Sequence, residues 1–270
     1  MVFPIGKAAK LLGVSTEGLR LYERAGILKP HRGKDDTSYR IYEHLDFTAL
    51  IRARGYHNYG FSTKEIASLI NAPELNHICQ QYEKREHDLE REIQWKTLLL
   101  ENLQELKRLS LNVTYNPQEI TQCVRPAMYR FPFIEDAEYL LNAKQEKIFQ
   151  QWISKSPIVF ISQSNRWEDL QNGCSQITAA LGILEKHAAF LELDLQGASY
   201  YPSSPALYCI VREQGDDFQP LICLRPLMDY VAKERLTVAG DPISRVFLSF
   251  NKNDSYTRYR EVWLPIQTSK

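Results

Sequence analysis

From Leu75 to about Leu111 the chain contains neither proline nor glycine, and apolar residues return at near-heptad intervals. Leu75, Ile78, Tyr82, Leu89, Ile93, Leu99 or Leu100, Leu103 and Leu106 form the stripe. Arg85 and Lys96 interrupt it, and charges of both signs fill the positions between. The spacing predicts one helix of roughly 36 residues, about 54 Å long. No small domain can bury an apolar stripe of that length. Two arrangements satisfy it: a coiled coil with a partner helix, or a long helix packed along its own body. The segment NVTYNPQE, residues 112–119, breaks the pattern. The organisation read from this is a head at 1–74, a helix at 75–112, a linker at 113–119 and a tail at 120–270.

The chain has 270 residues, 44% hydrophobic and 24% charged, with a formal net charge of zero, enough for one large domain or two smaller ones. The neutrality hides a gradient. Residues 1–60 hold ten Lys or Arg against six Asp or Glu, an excess of four positive charges that the remainder must balance. A basic head on an acidic body suits a module for a polyanion joined to something else. No apolar run approaches the roughly 20 residues that span a bilayer, so no membrane partner is expected. The opening MVFPIGKAAKLLG lacks the core and cleavage site of a signal peptide. The five cysteines at 79, 123, 174, 209 and 223 never fall as C-x-x-C, which points to reduced thiols and a cytoplasmic protein.

The head reads as short helices. PIGKAAKLLG places Ile5, Ala8, Ala9 and Leu12 on one side, with Gly13 as a stop. Ser15 is an N-cap for a second helix that runs to Gly26, making a helix-turn-helix. Polar starts introduce two further helices, HLDFTALIRARGYHNY and STKEIASLINAP. Between the second and third lies GKDDTSYRIY, a turn-forming loop that carries large side chains, Tyr39, Arg40 and Tyr42, without an evident connecting role. These side chains either reach a partner or pin the loop to the core.

IGKAAKLLGVSTEGLRLYERAGILKP followed by DDTSYRIY resembles the MerR family of bacterial transcription regulators. The family pattern is a helix-turn-helix, the string L-R-x-Y-E, then a wing ending Y-R-x-Y. Leu19, Arg20, Tyr22 and Glu23 match the first string; Tyr39, Arg40 and Tyr42 match the second. The resemblance continues through GFSTKEIASLI and the long helix, which corresponds to the family's antiparallel dimer coil. It implies a homodimer on double-stranded promoter DNA, acting with RNA polymerase holoenzyme on a pseudo-palindrome inside an overlong promoter spacer, and activating by distorting that DNA. Leu21 departs from multidrug-sensing relatives, which often carry a tyrosine there. On this reading a recognition helix enters the major groove with its first turn leading. Ser15 and Thr16 suit phosphate oxygens, Arg20 a guanine edge, and Tyr22 the DNA backbone. Tyr39 and Arg40 grip phosphates, Tyr42 packs the loop down or joins them, and Lys7 and Arg52 extend the basic face.

After the linker the pattern is mixed. Strand-like runs fall at 157–162, 207–212, 245–250 and 256–264, and helix-like runs at 136–153, 175–187 and 217–235, which predicts an α+β domain of two similar halves. This part resembles, more loosely, the GyrI-like effector-binding domain of the multidrug-sensing, BmrR-like branch, most visibly in LMDYVAKERLTVAGDPI and YREVWLPI. The whole is thus a multidomain α and α+β chain: winged helix-turn-helix, coiled-coil helix and effector domain. The resemblance implies a lipophilic effector. Alternation in the last strand sets Tyr259, Glu261 and Trp263 on one face, with Tyr208 and Phe250 as further aromatic wall. There Glu261 is either a counter-charge for a cationic guest or a solvent-facing acid. Ser244 stands where the drug-binding relative has a pocket glutamate, so a cationic preference does not follow.

Two rival readings exist, a metal or redox sensor and an enzyme. Metal-responsive relatives place thiols near the dimer helix, and Cys79 and Cys123 flank it here. Yet a soft-metal site wants two to four sulfur or imidazole ligands close together, and no metal ligand is assigned. An enzyme is not expected. No G-x-S-x-G elbow or H-E-x-x-H helix occurs, the six histidines lie mostly in the head and long helix, and no cofactor signature is read.

Overall fold

The structure, a computed structural model, describes residues 3–29, 31–32, 40–115, 119–174, 176–215, 219–252 and 255–267. It divides into two compact units, Met1–Lys96 and Thr97–Lys270.

In the first unit, β1 (Phe3–Pro4) leads into α1 (Ile5–Leu12), a short turn, and α2 (Thr16–Arg24). Gly13 closes α1 at a φ of 60°, a left-handed conformation that favours glycine. Two residues later Ser15 caps α2, its Oγ accepting from the Gly18 amide at 2.9 Å. The turn is therefore a glycine stop followed by a serine cap, both legible as sequence signals. Strands β2 (His31–Arg32) and β3 (Arg40–Tyr42) join β1 in a small antiparallel sheet, order β1-β3-β2. Helices α3 (His44–Asn58) and α4 (Thr63–Ile70) follow. The Glu43 amide donates to Asp46 at the start of α3, and Ser62 and Glu65 cap one another at the start of α4. Ala8, Leu19, Ile27, Tyr42, Leu50, Phe61 and Ile66 share one buried core. The long helix α5 (Leu75–Tyr115) begins in this unit, with Ile78 against that core and the Tyr82 hydroxyl 2.9 Å from that of Tyr56.

Helix α5 runs three residues into the linker read at 113–119. Asn112, Val113, Thr114 and Tyr115 are modest helix formers but contain no breaker, and the first sequence barrier is Pro117, which disfavours helix at the residue before it.

The second unit is dominated by an antiparallel sheet, nine-stranded among the described residues. Its elements are β4 (Thr121–Arg125), β5 (Met128–Glu135), β6 (Glu138–Tyr139), α6 (Ala143–Ile153), β7 (Phe160–Ser164), α7 (Trp167–Gln171), β8 (Thr178–Leu184), α8 (Glu185–Ala188), β9 (Ser199–Tyr201), β10 (Ser204–Gln214), α9 (Pro220–Cys223), α10 (Arg225–Glu234), β11 (Ile243–Lys252) and β12 (Ser255–Pro265). The strand order is β4-β10-β12-β11-β7-β8-β5-β6, with β9 also on β5. Alternation divides the central strands cleanly. Leu207, Cys209, Val211, Val262 and Leu264 pack with Leu224, Leu227 and Val231 of the α9–α10 layer. Met128, Ala206, Ile243 and Trp263 form a separate cluster.

Two sequence expectations are corrected by the structure. Residues 175–187, read as a helix, hold β8 and only a one-turn α8. TAALGIL is apolar on both faces, a pattern that fits a buried strand as well as a helix. The helix read from 136 starts at Ala143, because Asp136 and Ala137 take positive φ in a turn and Asn142 with Gln145 makes a capping box. Strands β4 and β5 were not foreseen.

Leu19 is fully buried where α2 meets the head core. Leu19→Ala is expected to destabilise this unit by about 2–5 kcal/mol, as deletion of a buried leucine side chain does elsewhere. Urea denaturation followed by circular dichroism measures it; a loss well under 1 kcal/mol contradicts the packing described.

Candidate nucleic-acid interface and effector cleft

Burial of Leu19 turns the opposite side of α2 outward. Ser15, Thr16, Glu17, Arg20 and Arg24 are exposed, and Leu21 is 45% exposed despite being apolar. The free amides of the first turn and the hydroxyl of Thr16 thus face solvent at the positive end of the helix dipole. Arg20 and Arg24 both reach Glu17, at 3.2 and 2.9 Å. The guanidinium of Arg24, then that of Arg20, hold the Glu17 carboxyl below the ordinary range. These exposed pairs add little stability. Their effect is to present two guanidinia side by side on one helix face. Lys7, on α1, is exposed with its Nζ 5.2 Å from the Phe3 ring centre, and Arg52 is exposed on α3.

The other aromatic positions divide. Tyr22 is half-buried, packed against the head core rather than standing free. Tyr39 lies outside the described residues. Arg40 opens β3, paired in register with Arg32. Of the two roles open to Tyr42, packing and phosphate contact, the structure supports the first and corrects the second: it is 0% exposed, and its hydroxyl donates to Glu23 Oε1 at 2.6 Å. A phenol enclosed in the core and engaged by a carboxylate cannot reach a phosphate. The signal for this was present in the sequence, since Tyr42 follows Ile41 in a strand and alternation sends one of the two inward.

In the second unit both phases of β12 are buried, Glu261 at 4% and Trp263 at 6% exposed, and contacts of Tyr208 with each set these two on one face. Glu261 does not face water. Its Oε1 accepts from the Tyr208 hydroxyl at 3.1 Å, and its Oε2 takes Arg245, whose Nε donates at 2.6 Å. Arg245 and Glu261 are directly opposed in the β11–β12 register. Burial pushes the Glu261 carboxyl up, opposed by Arg245 and then Tyr208. Burial likewise raises the Tyr208 phenol, with Glu261 adding to the rise. Ser244, one residue from Arg245, points to the other side and donates to the Gln163 carbonyl at 3.2 Å.

A cleft of about 470 Å³ opens in this unit. Phe133, Phe149, Phe160 and Phe247 wall it, with Leu106 of α5 and Arg245 at its margin. Phe160 lies opposite Gly182 in the β7–β8 register, and a Cβ on Gly182 would fall 2.4 Å from the Phe160 ring. Glycine there is what lets the ring lie flat on the neighbouring strand. None of the five residues read from the sequence as ligand contacts (Tyr208, Phe250, Tyr259, Glu261, Trp263) lines this cleft. Tyr208, Glu261 and Trp263 form one buried group, and Phe250 and Tyr259 stack at 6.3 Å elsewhere. The correction has a simple cause: alternation gives a face, but only strand order says which neighbour occupies it. The residue missed was Arg245, which shares a strand phase with Ile243.

The thiols of the rival reading are Cys79, exposed on α5 in the first unit, and Cys123, half-buried on β4 in the second. Burial, then Glu261, pushes the Cys123 thiol up. Among the described residues no group of three His, Cys, Asp or Glu side chains is gathered to hold a metal ion. No helix among them is long and apolar enough to cross a membrane.

Tyr42→Phe removes one donor from a half-buried carboxylate and is expected to cost about 1–3 kcal/mol. The loss appears in urea melts of the full chain; an unchanged midpoint contradicts the assignment of Tyr42 to the core.

Against known proteins, residues 4–42 match the model of the MerR family regulatory protein. A probable heavy metal-dependent transcriptional regulator of Haemophilus influenzae is 41% identical over 66 residues, 24% of this chain and 51% of that protein. The mercuric resistance operon regulatory protein of Serratia marcescens is 35% identical over 86 residues, 32% of this chain and 59% of that protein. The chain thus spans little more than half the length of these relatives. A cryo-EM structure of an EcmrR–DNA complex in EcmrR-RPo aligns over 99% of this chain and 100% of that one, at 15% identity and a TM-score of 0.40, a loose likeness. The match at 4–42 falls on the helix-turn-helix and its small sheet, so it is the head that is similar to MerR family regulators.

Proposed function

We propose that the chain is a ligand-responsive transcription regulator that binds a pseudo-palindromic promoter operator as a homodimer and activates by distorting it. One observation carries the reading. Helix α2 is capped by Ser15, anchored by Leu19, and turns its first turn with Arg20 and Arg24 to solvent. A helix presented by its N-terminal turn fits a major groove, where an arginine can take a guanine edge and hydroxyls and amides take phosphates. Arg20 is held ready by Glu17, so DNA exchanges one anionic partner for another.

Pairing of two copies is supported by α5. Leu75, Tyr82, Ile93, Leu100 and Leu103 are exposed on it, and Leu75, Tyr82 and Leu103 stand whole heptads apart. An exposed apolar seam of that period calls for a second helix. The second unit is read as the effector-binding domain, of GyrI-like type, with the phenylalanine-walled cleft as the place for a lipophilic guest. RNA polymerase holoenzyme follows as a partner at the promoter, and the cytoplasm as the place of work. The metal or redox alternative through Cys79 and Cys123 is not favoured, and the reading is of a regulator, not an enzyme.

The test is fluorescence anisotropy of the full chain on duplexes selected from a random library. The account expects an inverted repeat, affinity that falls steeply with salt, and a dimer by sedimentation. Arg20→Ala should relax specificity at one base pair in each half-site by about 1–3 kcal/mol, while Thr16→Ala weakens all sequences alike. Salt-independent binding, or a lone subunit that binds as tightly, contradicts it.

A further inference from the structure

Resting on the reading of the second unit as an effector domain, we propose that Arg245 sets the charge of the effector. The cleft takes an amphipathic aromatic molecule with an anionic head, such as a carboxylate, and rejects lipophilic cations.

Glu261 is the acid that the sequence offers as a counter-charge for a cation. Glu261 is buried and already engaged from two sides, by Tyr208 on one oxygen and by Arg245 on the other. Arg245 is an internal counter-ion, fixed by strand register directly opposite its acid. If Glu261 is ionised, the pair carries no net charge. If it is protonated, the pair is cationic. In neither state does it offer a guest a negative charge, so a cation beside the pair gains no partner from it and must leave its water behind.

Arg245 also touches what the cleft is made of. Its guanidinium stands 5.4 Å from the centre of the Phe160 ring. Of the residues lining the cleft among those described, it is the one that carries a charge. Its bonds to Glu261 use Nε and Nη2, and no described residue accepts from Nη1. A guanidinium with an open edge, beside an apolar cavity, is the arrangement that takes a carboxylate. The nearby acid on α5, Glu105, is occupied by Arg108 at 2.7 Å and adds no free negative charge. Four phenylalanines supply burial for an aromatic body, and the cavity size suits a small one.

The experiment is isothermal titration calorimetry of the full chain with three probes that share a naphthalene ring: 2-naphthoate, 2-naphthalenemethanol and (2-naphthylmethyl)trimethylammonium. Wild type should bind the acid tightest and the ammonium weakest. Arg245→Met should weaken the acid by about tenfold or more and strengthen the ammonium, because Glu261 is then uncovered. Should Arg245→Met fail to fold around the unpaired acid, the Arg245→Met/Glu261→Gln double variant keeps a neutral, bonded core. It should lose the preference for acid without gaining one for cation. Phe160→Ala should weaken the acid in every background, locating it in the cleft. A wild type that prefers the ammonium, or an acid-to-cation ratio that neither variant moves, overturns the proposal. If none of the three probes binds, the effector reading of this unit falls with it. Acid binding without any DNA affinity sinks the DNA half alone.

Discussion

The hydrogen bond from Tyr42 to Glu23 joins the two strings that define the head. Glu23 closes the first, at the end of α2, and Tyr42 closes the second, in β3, nineteen residues later. The bond is short, 2.6 Å, and the phenol ring beneath it is wholly enclosed. A charged acceptor in a partly dry setting makes such a bond stronger than its neutral counterpart. It fixes α2 relative to β3, so helix and strand are carried on one rigid frame. Everything proposed for the head depends on this frame, since a helix that reads a groove must be held to a fraction of an ångström.

The tail solves a different problem with the same device, a side-chain pair set by backbone register. Strands β11 and β12 bring Arg245 and Glu261 face to face, and β10 adds Tyr208 from the other side of β12. The opposite face of the sheet is similarly served by Arg260 and Glu213, both buried, at 2.7 Å. Buried pairs of this kind are weak contributors to stability, because desolvation offsets most of the attraction. Their value lies in discrimination. A pocket beside a satisfied pair has a defined charge, and a guest that needs the acid must first evict the arginine.

How much of this was legible differs between head and tail. In the head, Gly13 as stop, Ser15 as cap and the polar starts of α3 and α4 are local signals, and each element stands where its signal lies. Tyr42 stays open between two roles in the sequence because a phenol looks the same whether it faces a phosphate or a carboxylate; only its burial decides. In the tail, β10, β11 and β12 were visible as apolar alternation, and the phase of Glu261 and Trp263 was correct. Helix and strand could not be separated at 178–184, where both faces are covered, and Gly182 was unremarkable until Phe160 was seen lying on it. The Arg245–Glu261 pair was out of reach for a further reason. It spans sixteen residues and a hairpin with a register shift between Val246 and Leu248, and such a bulge changes which residues oppose.

The central claim is that two copies of the head present α2 to successive major grooves of one duplex. A hydroxyl-radical footprint on a selected operator tests it most directly. The account predicts two protected patches related by a dyad, their centres separated by a whole number of helical turns of about 34–36 Å. A single patch, or none at protein concentrations that saturate the duplex, contradicts it.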